Sequence, residues 1–144
     1  MKRDIDPIRI RDLLSSIVEA QGRLQELALL SLDDFLGDFR NTESAKYLLI
    51  VATEAAIDIC HHIVARQSKR APQDYADCFS LLVELDVLPP ELAARLQQMA
   101  RFRNLVVHLY WKVDNRQVYQ IIQHNLRDLD EFRRHIIDRF NLAG

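Results

Sequence analysis

Glycine and proline are scarce in this 144-residue chain, which contains 3 and 4 of them. Few helix-breaking residues, together with plentiful alanine, leucine and glutamine, predict a mostly helical protein. Hydrophobic residues make up 49% and charged residues 28% of the chain, which is typical of a folded protein rather than a disordered one. A chain of this length buries a real core without metal or disulfide cross-links, so we expect a single domain over residues 1–144.

A strong charge of either sign is also lacking, because the formal net charge is −2. Without a basic field over the whole surface, a DNA-binding module is disfavoured. The same charge is compatible with an enzyme that grips RNA locally through a few arginines.

The chain has only two cysteines, Cys60 and Cys78, both within apolar stretches. Buried free thiols in a reducing cytosol are expected of such residues. The first six residues contain no apolar run of the kind that follows the charged start of a signal peptide. No segment looks long and apolar enough to span a bilayer, so we predict a cytoplasmic protein without a membrane partner.

Apolar residues recur at helical spacing through most of the chain. Asp6 before Pro7, and Asp114 before Asn115, are typical N-caps of helices. Gly37 marks a break in a connector, after which Thr42 and Glu43 open the next helix. The predicted fold class is all-α, an up-and-down bundle of four long helices and one shorter one. The predicted helices cover residues 7–30, 43–65, 75–85 and 115–140. A further predicted helix starts at Pro89-Pro90 and runs through Phe102 into the residues that follow it.

The segment from Arg103 to Tyr110 (RNLVVHLY) is the part of the chain best equipped for chemistry. Arginine binds phosphates through a planar fork of donors. Histidine moves protons near neutral pH. Arg103 and His108 together therefore suggest cleavage of a phosphodiester, although an Arg and a His near a helix end also commonly serve the helix dipole or a buried hydrogen bond.

Helical geometry limits what one copy of this segment can do. Arg103 and His108 are five positions apart, about 140° around a helix, so they do not point at one spot. Asn104 and His108 share a face, and the amide can hydrogen-bond the imidazole. Arg103 continues an apolar stripe, so we expect it to be buried and paired or to lie at an interface. Either the helix ends or distorts inside the segment, or two copies pool their side chains across a two-fold axis, which we favour.

The reaction that suits this equipment is metal-independent RNA cleavage. His108 acts as general base or acid for attack by the ribose hydroxyl, and Arg103 stabilises charge on the phosphorane. DNA lacks that hydroxyl and is expected to resist. No cofactor is expected, and no His and carboxylate cluster has the spacing of metal ligands. Cys60, His61 and His62 point about 100° apart on a helix and cannot converge on one ion.

Four further residues each have two alternative roles, one functional and one structural. Glu54 and Asp58 share a helix face and could anchor Arg103 or form ordinary salt bridges, and Asp58 is our accessory candidate. Trp111 and Tyr119 could stack on bases. Core packing is the simpler interpretation of both aromatic residues.

At the Arg103 segment the chain resembles the HEPN superfamily, whose ribonucleases carry Arg, a polar residue, three variable residues and His. The continuation His108-Leu109-Tyr110 resembles its HepT branch, toxins encoded beside a minimal nucleotidyltransferase antitoxin. The resemblance extends over nearly the whole chain, with residues 31–42 the least similar. Similar segments in the same order are EAAIDI at 54–59 followed by His62 and Ile63, YADCF at 75–79, LPPEL at 88–92, and residues 113–119.

The resemblance implies a homodimeric helical bundle with a composite ribonuclease cleft at the interface. It implies a toxin of a type VII-like toxin–antitoxin system in a prokaryotic cytoplasm, acting on RNA such as tRNA. Carried over by position, Arg103 and His108 are catalytic, Asn104 is the polar accessory, and Tyr110 is adenylylated by an MntA-like antitoxin. An added nucleotide would block the cleft and bring negative charge to where RNA phosphates sit.

Two other functions remain open at this point. The chain could be a non-catalytic HEPN-like module that binds a nucleotide or a partner protein in the same cleft. It could also be a bundle that only scaffolds its partner. The first alternative predicts binding without cleavage, and the second predicts that Arg103→Ala changes nothing but stability.

Overall fold

The computed structural model describes residues 4–142, and this part of the chain contains no strand. Its order is seven α-helices with one short 3₁₀ turn before the sixth, which confirms the all-α prediction. The proposed absence of a signal peptide rests partly on residues 1–3, which lie outside the described residues. The elements are α1 (Pro7–Ala28), α2 (Leu32–Leu36), α3 (Phe39–Gln67), α4 (Tyr75–Glu84), α5 (Pro90–His108), the 3₁₀ turn Tyr110–Lys112, α6 (Asn115–His124) and α7 (Arg127–Phe140).

The helix starts follow from local capping. The Asp6 carboxylate accepts hydrogen bonds from the backbone N–H groups of Ile8 and Arg9, and Asp114 accepts one from Arg116 in the same way. These caps satisfy donors that have no partner within the first turn of a helix. Both predicted N-caps are therefore confirmed.

The third helix begins four residues earlier than predicted. Asp38 caps it by accepting from the backbone N–H of Arg40, and Thr42 lies inside the helix, where its hydroxyl donates to the carbonyl of Phe39. The connector before it contains the short helix α2, which ends at Gly37 as expected. The predicted helix start at Glu43 was wrong because Asp38 supplies an equally good N-cap upstream.

The predicted last helix is in fact two helices. α6 ends at His124 and α7 begins at Arg127, so the described chain does not form four long helices and one shorter one. Gln21, buried on α1, donates its side-chain N–H to the carbonyl of Leu126 at the break, at 3.2 Å. A contact between residues so far apart in the chain stabilises a break that the local pattern does not predict.

α3 is the central helix and contacts α1, α2, α4, α5, α6 and α7. Its length of 29 residues and a mean hydropathy of 1.6 over its most apolar window make it long and apolar enough to cross a membrane. The expectation that no segment is long and apolar enough to span a bilayer was therefore wrong. The physical reason is its position: 56% of that window is buried inside the bundle, and a helix surrounded by other helices is apolar on most faces.

The hydrophobic core is continuous around α3 and joins all seven helices. Phe79 of α4 and Phe132 of α7 meet edge to face, with ring centroids 6.2 Å apart. Cys60 and Cys78 are free and buried in this core, as predicted. Burial, and then the neighbouring Cys78, raise the pKa of the Cys60 thiol well above its usual value, so it stays protonated.

Candidate active site

α5 is continuous from Arg103 to His108. The helix begins at Pro90, and His108 is its last residue. Leu109 then leaves the helical conformation at φ −132° and ψ 50°, and the 3₁₀ turn Tyr110–Lys112 follows. The helix does not end or distort between Arg103 and His108, so the separation of about 140° between them persists.

Arg103 is held inside the protein by a carboxylate. Its side chain is 14% exposed, and its Nη2 donates to Oε1 of Glu54 on α3 at 2.6 Å. Its Nε donates to the same oxygen at 3.2 Å. The guanidinium also lies over the ring of Tyr75, 5.4 Å from the centroid. Arg103 is thus partly buried and paired, which agrees with one of the two arrangements expected of an arginine in an apolar stripe.

Asn104 interacts with Arg103 and not with His108. Its side-chain oxygen accepts a hydrogen bond from Nη1 of Arg103 at 3.0 Å. The expected contact between the amide and the imidazole is absent from the described residues. The guanidinium offers five donors and lies beside the amide, so it takes the acceptor.

His108 lies exposed at the C-terminal end of α5. Within residues 4–142 its imidazole makes no hydrogen bond, and Arg103 is occupied by Glu54 on α3. A single chain therefore does not bring the two proposed catalytic side chains together. The imidazole is free to contact a ligand or a second copy of the chain.

The two acidic residues on α3 differ in their relation to Arg103. Glu54 binds it directly. Asp58 is exposed and lines a cleft of about 220 Å³ with Glu54, Ile57, Tyr75 and Arg103. No hydrogen bond joins Asp58 to Arg103 among the described residues, so Glu54 is the better accessory candidate. Sequence spacing placed both carboxylates on one face and could not choose between them.

Tyr110 opens the 3₁₀ turn and is 42% exposed. The ammonium nitrogen of Lys46, on α3, lies 4.2 Å from the centroid of its ring. Sequence reasoning did not single out Lys46. The only signal is a lysine within the apolar pattern of α3, where a long charged side chain must find a partner.

Exposed apolar side chains surround His108. Val107, Leu109 and Trp111 are 42%, 37% and 75% exposed. The prediction that Trp111 packs in the core was therefore wrong, because the 3₁₀ turn places its side chain in solvent. Tyr119 does pack inside, where its hydroxyl donates to the carbonyl of Leu30 at 2.7 Å and its ring contacts Phe35.

Arg103 also lines a cavity of about 240 Å³ that lies between α3, α5, α6 and α7. Its apolar wall includes Met99 and Phe102, and its polar lining includes Arg95, Arg103 and Asp128. Arg103 thus lines both this cavity and the cleft beside Asp58 and Tyr75.

The Cys60, His61 and His62 segment has three separate roles, as helix geometry predicted. Cys60 is in the core, and His61 meets Tyr75 edge to face. Nε2 of His62 accepts a hydrogen bond from the backbone N–H of Asp6 at 2.9 Å. Among the described residues no three His, Cys, Asp or Glu side chains are grouped to hold a metal ion.

Comparison with known proteins gives one consistent result. The ribonuclease HepT-like family model matches residues 17–136. A curated relative, the tRNA nuclease HepT of Aphanizomenon flos-aquae, is 31% identical over 133 residues, which cover 92% of this chain and 90% of the relative. The mRNA nuclease HepT of Shewanella oneidensis is 34% identical over 98 residues, covering 68% and 74% of the two chains.

A solved structure extends the similarity to three dimensions. The tri-AMPylated Shewanella oneidensis HEPN toxin, in complex with an MNT antitoxin, superposes with a TM-score of 0.84 at 29% identity. The superposition covers 90% of this chain and 97% of that toxin. The helical arrangement is thus shared along nearly the whole length of both chains.

Proposed function

Because the chain belongs to the HepT-like ribonuclease family, we propose that it is the RNA-cleaving toxin of a toxin–antitoxin pair. The HEPN resemblance read from the sequence is confirmed by the family match over residues 17–136, and that match is the observation that carries the proposal. The finer parts of the proposal are metal-independent cleavage, a composite site in a homodimer, and control by adenylylation of Tyr110.

In the proposed reaction, His108 removes the proton of a ribose 2′-hydroxyl. The 2′-oxygen forms a bond to the adjacent phosphorus, the bond to the 5′-oxygen breaks, and that oxygen takes up a proton. Arg103 stabilises the negative charge of the phosphorane. The products are a 2′,3′-cyclic phosphate and a free 5′-hydroxyl, and a 2′-deoxy substrate has no nucleophile.

The geometry of one chain supports a shared site. Arg103 and His108 lie about 140° apart on one continuous helix, and exposed apolar side chains flank His108. A two-fold arrangement of two α5 ends would cover those side chains and pool two arginines and two histidines.

The test uses purified protein, without antitoxin and in the presence of EDTA, on tRNA, mRNA and DNA of matched sequence. The named substrates of the two curated relatives differ, so RNA type is compared directly, and we propose tRNA. We expect His108→Ala to reduce cleavage by about 10²–10⁴-fold. His135→Ala, at another exposed histidine, is the matched control. Cleavage by H108A at the wild-type rate would remove His108 from the mechanism.

Mixing two inactive variants tests the shared site. Dimers that combine an Arg103→Ala chain with a His108→Ala chain hold one arginine and one histidine in the pooled cleft. We expect partial recovery of cleavage on mixing. No recovery, with mixed dimers verified by native mass spectrometry, would mean that each chain works alone.

Adenylylation is tested by intact mass after incubation with a minimal nucleotidyltransferase antitoxin and ATP. We expect a gain of whole AMP units that Tyr110→Phe abolishes and Tyr47→Phe retains. Tyr47 is a suitable control because it is 65% exposed and therefore accessible. AMP on the Tyr110→Phe chain would place the modification on another residue. The proposed cellular location is the prokaryotic cytoplasm, where ATP and tRNA are available.

A non-catalytic nucleotide- or partner-binding module is the alternative function. The observation that favours it is the 2.6 Å contact between Arg103 and Glu54, which occupies the guanidinium. This function predicts that purified chain binds RNA or nucleotide without cutting it. The EDTA assay above separates the two functions.

A further inference from the structure

Lys46 is a buried cation that the proposed mechanism does not use. It lies on the central helix α3, and its side chain is only 6% exposed. Its neighbours on the helix, Ala45 and Leu49, belong to the hydrophobic core. A buried ammonium is costly unless it is paired, so its contacts indicate what keeps it there.

The ammonium of Lys46 has two contacts among the described residues. Oε1 of Glu43, one turn earlier on the same helix, lies 3.2 Å away and belongs to a side chain that is 48% exposed. The second contact is with the ring of Tyr110, whose centroid lies 4.2 Å from the ammonium nitrogen. An ammonium has three donors, and one exposed carboxylate leaves it able to take a further oxygen acceptor.

We propose that Lys46 binds the phosphate of the nucleotide attached to Tyr110. This inference rests on the proposed function, in which the Tyr110 phenol oxygen attacks the α-phosphorus of ATP. Pyrophosphate leaves, the phenolic proton goes to solvent, and a tyrosyl phosphodiester with one negative charge remains. The ammonium of Lys46 then exchanges Glu43 for that phosphodiester.

Three physical arguments support this exchange. The cation already lies 4.2 Å from the centroid of the ring that will carry the phosphate, and the flexible lysine side chain can follow the phosphate. Glu43 loses little when released, because its half-exposed carboxylate can be hydrated instead. The hydrogen bond between a buried ammonium and a phosphate is charge-assisted and therefore strong. The nucleotide is thereby held against α3 instead of extending into solvent.

The experiment compares wild type with Lys46→Met, Lys46→Arg and Lys112→Met. Lys112 is the matched control because it is exposed in the same 3₁₀ turn as Tyr110. Each chain is incubated with a minimal nucleotidyltransferase and ATP, and AMP addition is followed by intact mass. We expect Lys46→Met to slow addition about tenfold, which is the loss of one charge-assisted hydrogen bond. Lys46→Arg should restore the rate, and Lys112→Met should leave it unchanged.

Nuclear magnetic resonance gives a readout that a purely structural role would not move. In the wild-type chain, the ¹⁵N resonance of the Lys46 ammonium, assigned by its loss in Lys46→Arg, should shift when AMP is added. The ³¹P resonance of the phosphodiester should differ between wild type and Lys46→Met. The wild-type ¹⁵N measurement decides the question even where Lys46→Met does not fold.

The outcomes separate this inference from the function on which it rests. Wild type that gains AMP, with an unmoved Lys46 resonance and an unchanged rate in Lys46→Met, overturns the role of Lys46 and leaves the modification of Tyr110 intact. Wild type that gains no AMP from an active transferase overturns both. An equal loss in Lys46→Met and Lys112→Met would assign the effect to net charge and would also overturn the role of Lys46.

Discussion

Arg95 and Arg103 lie on the same helix and line the same cavity, but their carboxylate partners differ. Nε of Arg95 donates to Asp128 at 2.8 Å, and the Asp128 side chain is 2% exposed. Arg103 donates to Glu54, whose side chain is 45% exposed. The hydrogen bond to Asp128 is the main cause that raises the pKa of Arg95.

The exposure of the carboxylate decides what each pair does. A buried carboxylate that loses its cation has no water to replace it, so Asp128 keeps Arg95 in place and joins α5 to α7. A half-exposed carboxylate can be hydrated, so Glu54 can release Arg103 to a phosphate at low cost. The same kind of ion pair therefore stabilises the fold at Arg95 and, under the proposed function, positions the catalytic guanidinium at Arg103.

The largest expected effect is on catalysis at Arg103. Arg103→Met should reduce RNA cleavage about 10²–10³-fold, because a donor to the phosphorane is lost. Its unfolding free energy should fall by about 1 kcal/mol or less, since Glu54 can be hydrated. Cleavage rates and urea denaturation of the same preparation measure both. A large stability loss with normal cleavage of the remaining folded chain would reverse the proposed roles.

The matching change at Arg95 should have the opposite effect. Arg95→Met leaves the buried Asp128 carboxylate unpaired and should lower the unfolding free energy by about 3 kcal/mol, the low end for a buried pair because Arg95 itself is 37% exposed. Cleavage per folded molecule should stay at the wild-type value. The double variant with Asp128→Leu should recover most of the stability, and failure to recover would place the loss in packing of the Arg95 side chain.

Neutralising the carboxylates gives a smaller contrast. Asp128→Asn should cost about 1–2 kcal/mol of unfolding free energy, because an amide oxygen still accepts from Arg95 but without charge. Glu54→Gln should cost less than about 1 kcal/mol and keep cleavage within about tenfold of wild type. Thermal denaturation ranks the two variants. Equal losses would mean that exposure of the carboxylate does not distinguish the pairs.

The sequence predicted most of the helices because their starts are encoded locally. The caps at Asp6 and Asp114 are examples, each an acidic residue at the start of an apolar pattern. The break between α6 and α7 was missed because apolar spacing continues across it. A hydrogen bond from Gln21 to Leu126 stabilises the break, and no local pattern reports a contact between residues so distant in the chain.

The candidate site divides in the same way. The apolar stripe predicted that Arg103 is either buried and paired or at an interface, but helix spacing could not choose Glu54 over Asp58 because both share a face. The predicted contact of Asn104 with His108 was wrong because the guanidinium of Arg103, beside Asn104, takes its side-chain oxygen. Lys46 was missed because its contact with Tyr110 joins two elements whose packing the sequence does not give.

The smallest expected effect is a pH dependence of folding stability that could be mistaken for a pH dependence of catalysis. Burial, followed by the cation of Arg66, lowers the pKa of His62 from its ordinary value of 6.5, with Asp6 opposing and Arg9 adding to the shift. The unfolded chain therefore binds a proton more readily than the folded one, so stability falls as pH drops below about 6.5. Protonation of His62 also removes the acceptor for the backbone N–H of Asp6.

His62→Gln keeps an acceptor and cannot titrate, so its melting temperature should fall less than that of wild type between about pH 7.5 and about pH 5.5. If both fall equally, His62 does not govern this pH response. A pH profile of RNA cleavage that is the same in wild type and His62→Gln would reflect the active site alone.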